Sequence, residues 1–117
     1  MSELSSDVLR GYNDTIILSL LRDCDSYGYQ LSKMIRETSQ GSYVMKETTL
    51  YSAINRLEKA GWLHSYAGEV TRGKPRIYYQ LTDTGRAQLT KKLDEWKLSK
   101  EVLDRFFTSE SRKGESA

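Results

Sequence analysis

Covalent chemistry has little to work with in this chain. It holds one cysteine, one histidine and one proline among 117 residues. A lone cysteine excludes an internal disulfide. Cys24 also sits between Asp23 and Asp25, whose charges should blunt its thiol. A partly buried thiol at a helix end is therefore favoured over a redox sensor. His64 lies forty residues from Cys24, and one of each makes no zinc set. It falls in a strand-forming stretch, which suits a surface or half-buried ring better than a base. Neither a Gly-rich phosphate loop nor a nucleophile motif is present. The expectation is a protein that is not an enzyme and uses no cofactor and no metal. Long apolar runs are missing too. IILSLL is far too short to cross a bilayer, and MSELSSDVLRG lacks the basic-then-apolar pattern of a signal sequence. A cytoplasmic location with no membrane partner is expected.

What the chain does contain suits a small folded domain, with 38% hydrophobic and 29% charged residues. Its length allows one domain with a helical extension. The formal charge of +2 says little about partners, but its distribution says more. Residues 1–45 carry 4 basic and 6 acidic side chains, 46–76 carry 6 and 3, and 70–76 hold three cations and no anion. That is a local positive patch on a nearly neutral protein.

Periodicity divides the chain into five segments, with no internal repeat and no low-complexity linker. Residues 7–22 place Leu9, Tyr12, Ile16, Ile17, Leu20 and Leu21 on one face and predict a single amphipathic helix. Asp25 or Ser26 can cap a second helix through YGYQLSKMIRETS, with Leu31, Met34 and Ile35 inward. A third runs through TTLYSAINRLEKAGWL and stops at Gly61, a natural residue for the left-handed turn after a helix. Its start is weakly signalled, because Lys46 is a poor cap. WLHSYAGEV and RIYYQLT then read as two strands around the basic turn TRGKP. Thr82 and Asp83 cap a long last helix reaching Phe107, and SESRKGESA reads as a frayed tail. The fold class expected is mainly α with a small β-hairpin. It comprises a winged helix-turn-helix at 1–82, a dimerisation helix at 83–109 and a flexible tail at 110–117.

The third helix carries the functional signal. Leu50, Ala53, Ile54 and Leu57 form its buried stripe, so Thr48, Ser52, Asn55 and Lys59 point outward, with Tyr51 and Arg56 on the flanks. An ordinary solvated face would favour Glu, Lys and Gln, which are better helix formers. Short hydrogen-bonding side chains suit DNA instead. Thr48, Thr49, Ser52, Asn55 and Arg56 fit base edges and phosphates in a major groove. Arg72, Lys74 and Arg76 on the hairpin fit flanking phosphates or the minor groove. Tyr29 and Lys33 on the preceding helix, with Tyr51, complete the expected DNA-facing set.

TLYSAINRLEKAGWL, the short basic hairpin and IYYQLTDTGRAQL together resemble the PadR family of bacterial winged-helix transcriptional regulators. NDTIILSLL and YGYQLSKMI look like its first two helices, so the resemblance covers about residues 8–107. One helix after the wing resembles the shorter of the family's two main branches. The resemblance implies a homodimeric repressor on an inverted-repeat operator. Some members control efflux or stress genes and respond to phenolic or planar aromatic compounds. Tyr51 matches the family's tyrosine in the recognition helix, and Lys74 and Arg76 match its basic wing. Lys46 departs from the Ser, Asn or Asp that many members carry there.

The last helix asks for a partner independently of the family. Leu89, Leu93, Trp96, Lys100, Leu103 and Phe107 recur at steps of four and three, with Leu98, Val102 and Phe106 widening the stripe. Twenty-five helical residues span about 37 Å, more than a winged-helix core can cover. A second copy is the expected cover, through Leu89, Leu93, Trp96, Leu103, Phe106 and Phe107. Lys100 interrupts the seam, where it can snorkel outward or set register. Two Trp96 indoles held apart across a two-fold axis would form a slot for a planar aromatic or phenolic molecule. Leu89, Leu93 and Lys100 would lie beside them. The competing reading is a winged-helix scaffold for protein contacts, or a repressor with no small-molecule ligand.

Overall fold

The computed structural model describes residues 4–108. The tail expected at 110–117, and residue 109 at the end of the expected dimerisation helix, lie outside the described residues. Five helices and three strands follow in the order α1 (Ser6–Leu9), α2 (Asn13–Leu20), β1 (Ser26–Tyr27), α3 (Gly28–Thr38), α4 (Glu47–Lys59), β2 (Leu63–Thr71), β3 (Lys74–Leu81) and α5 (Asp83–Phe107), with a 3₁₀ turn at Arg10–Tyr12. One core joins them: Ile17, Leu18 and Leu21 from the N-terminal segment, Leu31 and Ile35 from α3, Leu50, Ile54 and Leu57 from α4, Leu63 and Leu81 from the sheet, and Leu89 from α5. This is a winged helix-turn-helix, mostly helical with a small antiparallel sheet.

The single helix expected over residues 7–22 is broken. Gly11 sits in the 3₁₀ turn, where its low helix propensity weakens the ladder. Beyond it, Asn13 faces inward, 6% exposed, and its Oδ1 accepts a hydrogen bond from the Tyr43 hydroxyl at 2.6 Å. That buried polar bond takes precedence over a continuous apolar stripe. The second helix is not capped by Asp25 or Ser26. It starts at Gly28 after Tyr27, with no side-chain cap, because Ser26 and Tyr27 form β1 and pair with Tyr79 and Tyr78 of β3. The expected two-stranded hairpin is thus a three-stranded sheet of order β1-β3-β2. Cys24 is exposed in the turn before β1, not partly buried.

Two glycines tie these elements together. Thr82 caps α5: its Oγ1 accepts from the Gly85 N–H at 3.0 Å and its hydroxyl donates to the Gly61 carbonyl at 2.7 Å. A Cβ on Gly85 would lie 2.2 Å from the Trp62 carbonyl oxygen, so the LTDTG segment needs glycine to dock on the end of α4. Gly28 plays the matching role in YGYQL. A Cβ there would lie 2.0 Å from the Tyr51 hydroxyl, so α3 and α4 meet through this contact. Downstream, the radius of gyration of 17.7 Å exceeds the roughly 13 Å of a compact globule this size, because α5 runs off the core.

Candidate nucleic-acid interface

α4 is held from behind. Leu50, Ala53, Ile54 and Leu57 are all buried, and full burial of each larger side chain contributes about 1.5–3 kcal/mol. That margin outweighs the roughly 0.5 kcal/mol each that Thr48, Ser52 and Asn55 cost as poor helix formers. The helix starts after Lys46 without a side-chain cap and ends before Gly61 at φ +82°, as the sequence indicates. Its outward side chains are left for other uses. Thr48, Ser52 and Asn55 are exposed and Thr49 is half-buried. None of the four makes a side-chain hydrogen bond within the described residues.

The flanking residues behave differently. Tyr51 lies across Gly28 and is 38% exposed. Arg56 is turned toward α2, where its guanidinium donates to Asp14 and forms an ion pair with it. Beside that pair, Arg10, Asn13, Thr48, Thr49, Ser52 and Arg56 line an open groove of about 330 Å³. Arg10 is itself paired with Asp7. Arg10, Asp14 and Asn13 carried no sequence signal, since each meets α4 or Tyr43 only through the fold. Tyr29 and Lys33 are exposed on α3, and Tyr29 lines a small cleft with Glu47 and Tyr51 at the start of α4.

The wing separates its cations. Thr71 pairs with Lys74 across a two-residue turn in which Arg72 and Gly73 both have positive φ, +54° and +79°. This is the mirror-image turn that matches strand twist, and it normally favours Asn-Gly. Arg72 and Lys74 are exposed there and join no ion pair among the described residues. Arg76 is not at the tip. Its guanidinium carbon lies 4.1 Å from the Tyr27 ring centroid, and a hydrogen bond with Tyr78 holds its pKa above the ordinary value. Tyr27, Tyr78, Tyr66 and His64 form a row of ring contacts on that face of the sheet. Tyr66 donates to the Asp25 carboxylate at 2.5 Å, which pushes its phenol up to about 12. A bulge between Ala67 and Val70 includes Gly68, where a Cβ would lie 2.4 Å from the Tyr78 ring. His64 is an exposed ring in a strand, in line with its sequence reading.

On α5 the apolar stripe divides in two. Leu89 is 3% exposed within its own chain, so it belongs to the core and has no surface to offer a ligand or a second copy. Leu93 and Trp96 instead line an apolar groove of about 360 Å³ with Leu9, Tyr12, Thr15 and Ile16. Lys100 does not line it; its Nζ lies 3.9 Å from the Trp96 ring centroid. Leu103, Phe106 and Phe107 are exposed further along, Phe107 at 77%. Among the described residues no helix is long and apolar enough to cross a membrane, and no group of three or more His, Cys, Asp or Glu side chains is placed to hold a metal.

Comparison with known proteins agrees with this geometry. The sequence model of the transcriptional regulator PadR-like family matches residues 17–91. A transcriptional regulator from Clostridium thermocellum is 54% identical, with 88% of this chain and 97% of that chain covered and a TM-score of 0.81. An uncharacterised protein of Lysinibacillus sphaericus is 42% identical over 101 residues, 86% of this chain and 93% of its own. PadR from Bacillus subtilis, solved in complex with operator DNA, is 24% identical, with 68% of this chain and 44% of that chain covered and a TM-score of 0.63, and supports the fold alone. The family model spans more than half of the sequence, and the chain belongs to the PadR-like family of transcriptional regulators, not to an enzyme family.

Proposed function

We propose that the protein is a homodimeric repressor that reads an inverted-repeat operator with α4 and is released by a planar aromatic or phenolic compound. The observation that carries the DNA reading is the outer face of α4. Thr48, Thr49, Ser52 and Asn55 have hydrogen-bonding capacity and no partner among the described residues. Asn55 is suited to the paired donor and acceptor of an adenine edge. Arg72 and Lys74 at the wing tip supply phosphate contacts, while Arg76, committed to Tyr27 and Tyr78, sets the pitch of the wing. The relative from Bacillus subtilis, which has the same fold, was solved on operator DNA. Residues 1–82 thus serve as the DNA-binding unit and 83–109 as the dimerisation helix of a regulator working in the cytoplasm. Efflux or stress genes are the natural targets of such a repressor.

The effector reading rests on the groove between the N-terminal segment and α5. Its volume falls at the lower end of small-molecule sites, and Trp96 gives it a flat apolar wall. One observation favours a second reading without a ligand: Lys100 already supplies a cation to the Trp96 ring. A single titration separates the two. Planar cationic dyes and phenolic acids are added to the protein bound to its selected duplex, following tryptophan fluorescence with Trp62 as internal control. Release of DNA with quenching that Trp96→Ala abolishes supports the effector reading. Quenching that survives in Trp96→Ala, or none in the parent, assigns Trp96 to packing. Weak binding to duplexes of any sequence would favour a scaffold over a repressor.

A further inference from the structure

The polar groove beside α4 has a composition that an ordinary surface notch lacks. Arg10 and Arg56 come from segments forty-six residues apart, yet both line it, together with the hydroxyls of Thr48, Thr49 and Ser52. Among the described residues no carboxylate lines it. Asn13 forms part of its wall and is fixed in place, because its Oδ1 is held by the Tyr43 hydroxyl at 2.6 Å. The residues that line the groove therefore carry two planar guanidiniums and three hydroxyls, which is the chemistry of an oxyanion seat.

Both guanidiniums already have an anion. Asp7 pairs with Arg10, and Asp14 pairs with Arg56. Each carboxylate comes from the same N-terminal segment, and neither is placed within the groove itself. Three of the four partners are well exposed, with side-chain exposures of 74% and 77% for Arg10 and Asp7 and 59% for Arg56. Exposed pairs of this kind are weak and yield to a better anion. A phosphodiester carries its charge on two oxygens and can meet a guanidinium fork directly.

We propose that this groove seats a backbone phosphate of the duplex, with Arg10 and Arg56 closing on it, and that Asp7 and Asp14 hold the two guanidiniums until DNA arrives. The proposal rests on the DNA reading above and adds a contact to it. It makes Arg10 a DNA-binding residue and narrows Arg56, which by sequence fits base edges or phosphates, to phosphate binding. Asp14 becomes a positioning residue that competes with DNA for Arg56.

The test measures duplex affinity from about 50 to 200 mM salt, on the selected operator and on a random duplex, for the full chain and four variants. Arg10→Ala should weaken both duplexes by similar factors and lower the slope of log K against log salt by about one. Arg10→Lys should keep that slope. Arg56→Ala should behave as Arg10→Ala does, and Asp14→Asn should raise affinity for both duplexes by freeing Arg56. If the parent selects an operator but Arg10→Ala keeps the parental slope, the phosphate seat is wrong and the DNA reading stands. The seat is equally wrong if Arg10→Ala or Arg56→Ala loses only operator binding, since that marks a base contact. If the parent binds no duplex at all, both fall together. Far-ultraviolet circular dichroism on each variant confirms the fold, which exposed Arg10 does not support.

Discussion

Gly28→Ala is the sharpest test of how α4 is set. The added methyl would stand 2.0 Å from the Tyr51 hydroxyl oxygen, 2.6 Å from Cζ and 3.0 Å from Cε1. The ring must leave its seat, because all three atoms are too close and the backbone of α3 is held by its pairing with the sheet through Tyr27. Tyr51 is 38% exposed, so most of its surface is covered now. A buried tyrosine covers about 150–250 Å², and swinging this one out re-exposes about 100 Å². At about 25 cal/mol per Å² that costs about 2.5 kcal/mol. Replacing glycine by alanine at a compatible helical position returns about 0.5–1 kcal/mol. The net expectation is a loss of about 1.5–2 kcal/mol. In a Tyr51→Ala background the clash is gone, and Gly28→Ala should be neutral or slightly stabilising. Urea denaturation of the parent, both single variants and the double variant, at one fixed protein concentration, measures the coupling. A coupling of about 2.5 kcal/mol is expected, because the gain from alanine is common to both backgrounds and cancels. Additivity within about 0.5 kcal/mol would show that Tyr51 does not rest on Gly28 and that α3 does not hold α4 in this way.

Other consequences follow from the same geometry. Leu103→Asp leaves the protomer's own core untouched, because Leu103 is exposed within its chain, but places a charge in the proposed dimer seam. Burying it unpaired costs about 3–5 kcal/mol, so sedimentation equilibrium should show a dissociation constant raised by at least two orders of magnitude, and an unchanged constant would refute the seam. Arg72→Gly should remove the positive-φ strain and stabilise the wing by up to about 1 kcal/mol, while lowering the salt slope for DNA by about one, as read by thermal melts and binding isotherms. Tyr66 titrates near 12, because its neutral phenol donates to Asp25. The folded pKa lies above the unfolded value of 10.0, so this bond's contribution is whole below pH 10 and is lost as pH rises toward 12. A phenolate difference spectrum between the parent and Tyr66→Phe should therefore develop near pH 12, and one developing near pH 10 would show that the bond is absent.

The helices that carry a full apolar period were legible from the sequence. α4 and α5 fall where their stripes put them, and Gly61 and Thr82 act as the punctuation they resemble. β1 was not legible because two residues cannot show alternation; Ser26 and Tyr27 become a strand only through Tyr78 and Tyr79, more than fifty residues away. The break in the first helix was hidden for a related reason. Asn13 reads as an ordinary polar position until Tyr43 supplies its hydrogen bond. On the candidate interface, the short polar side chains of α4 were visible because they defy helix propensity. The orientation of the arginines was not. Arg56 turns to Asp14 and Arg76 lies over Tyr27, contacts made across forty-two and forty-nine residues respectively. Leu89 shows the limit of periodicity in the other direction. Spacing puts it on the same stripe as Trp96, but only packing decides that one is spent in the core and the other is left at a groove.

Whether two copies of α4 read one operator is open to hydroxyl-radical footprinting on a duplex selected from a random pool. Two protected tracts related by two-fold symmetry are expected, their centres about one helical turn or roughly 34 Å apart, with weaker flanking protection where the wing tips lie. Asn55→Ala should cost about 1–3 kcal/mol on that duplex and little on random DNA. A single unpaired tract, or protection that does not depend on sequence, would contradict a dimer that reads an inverted repeat.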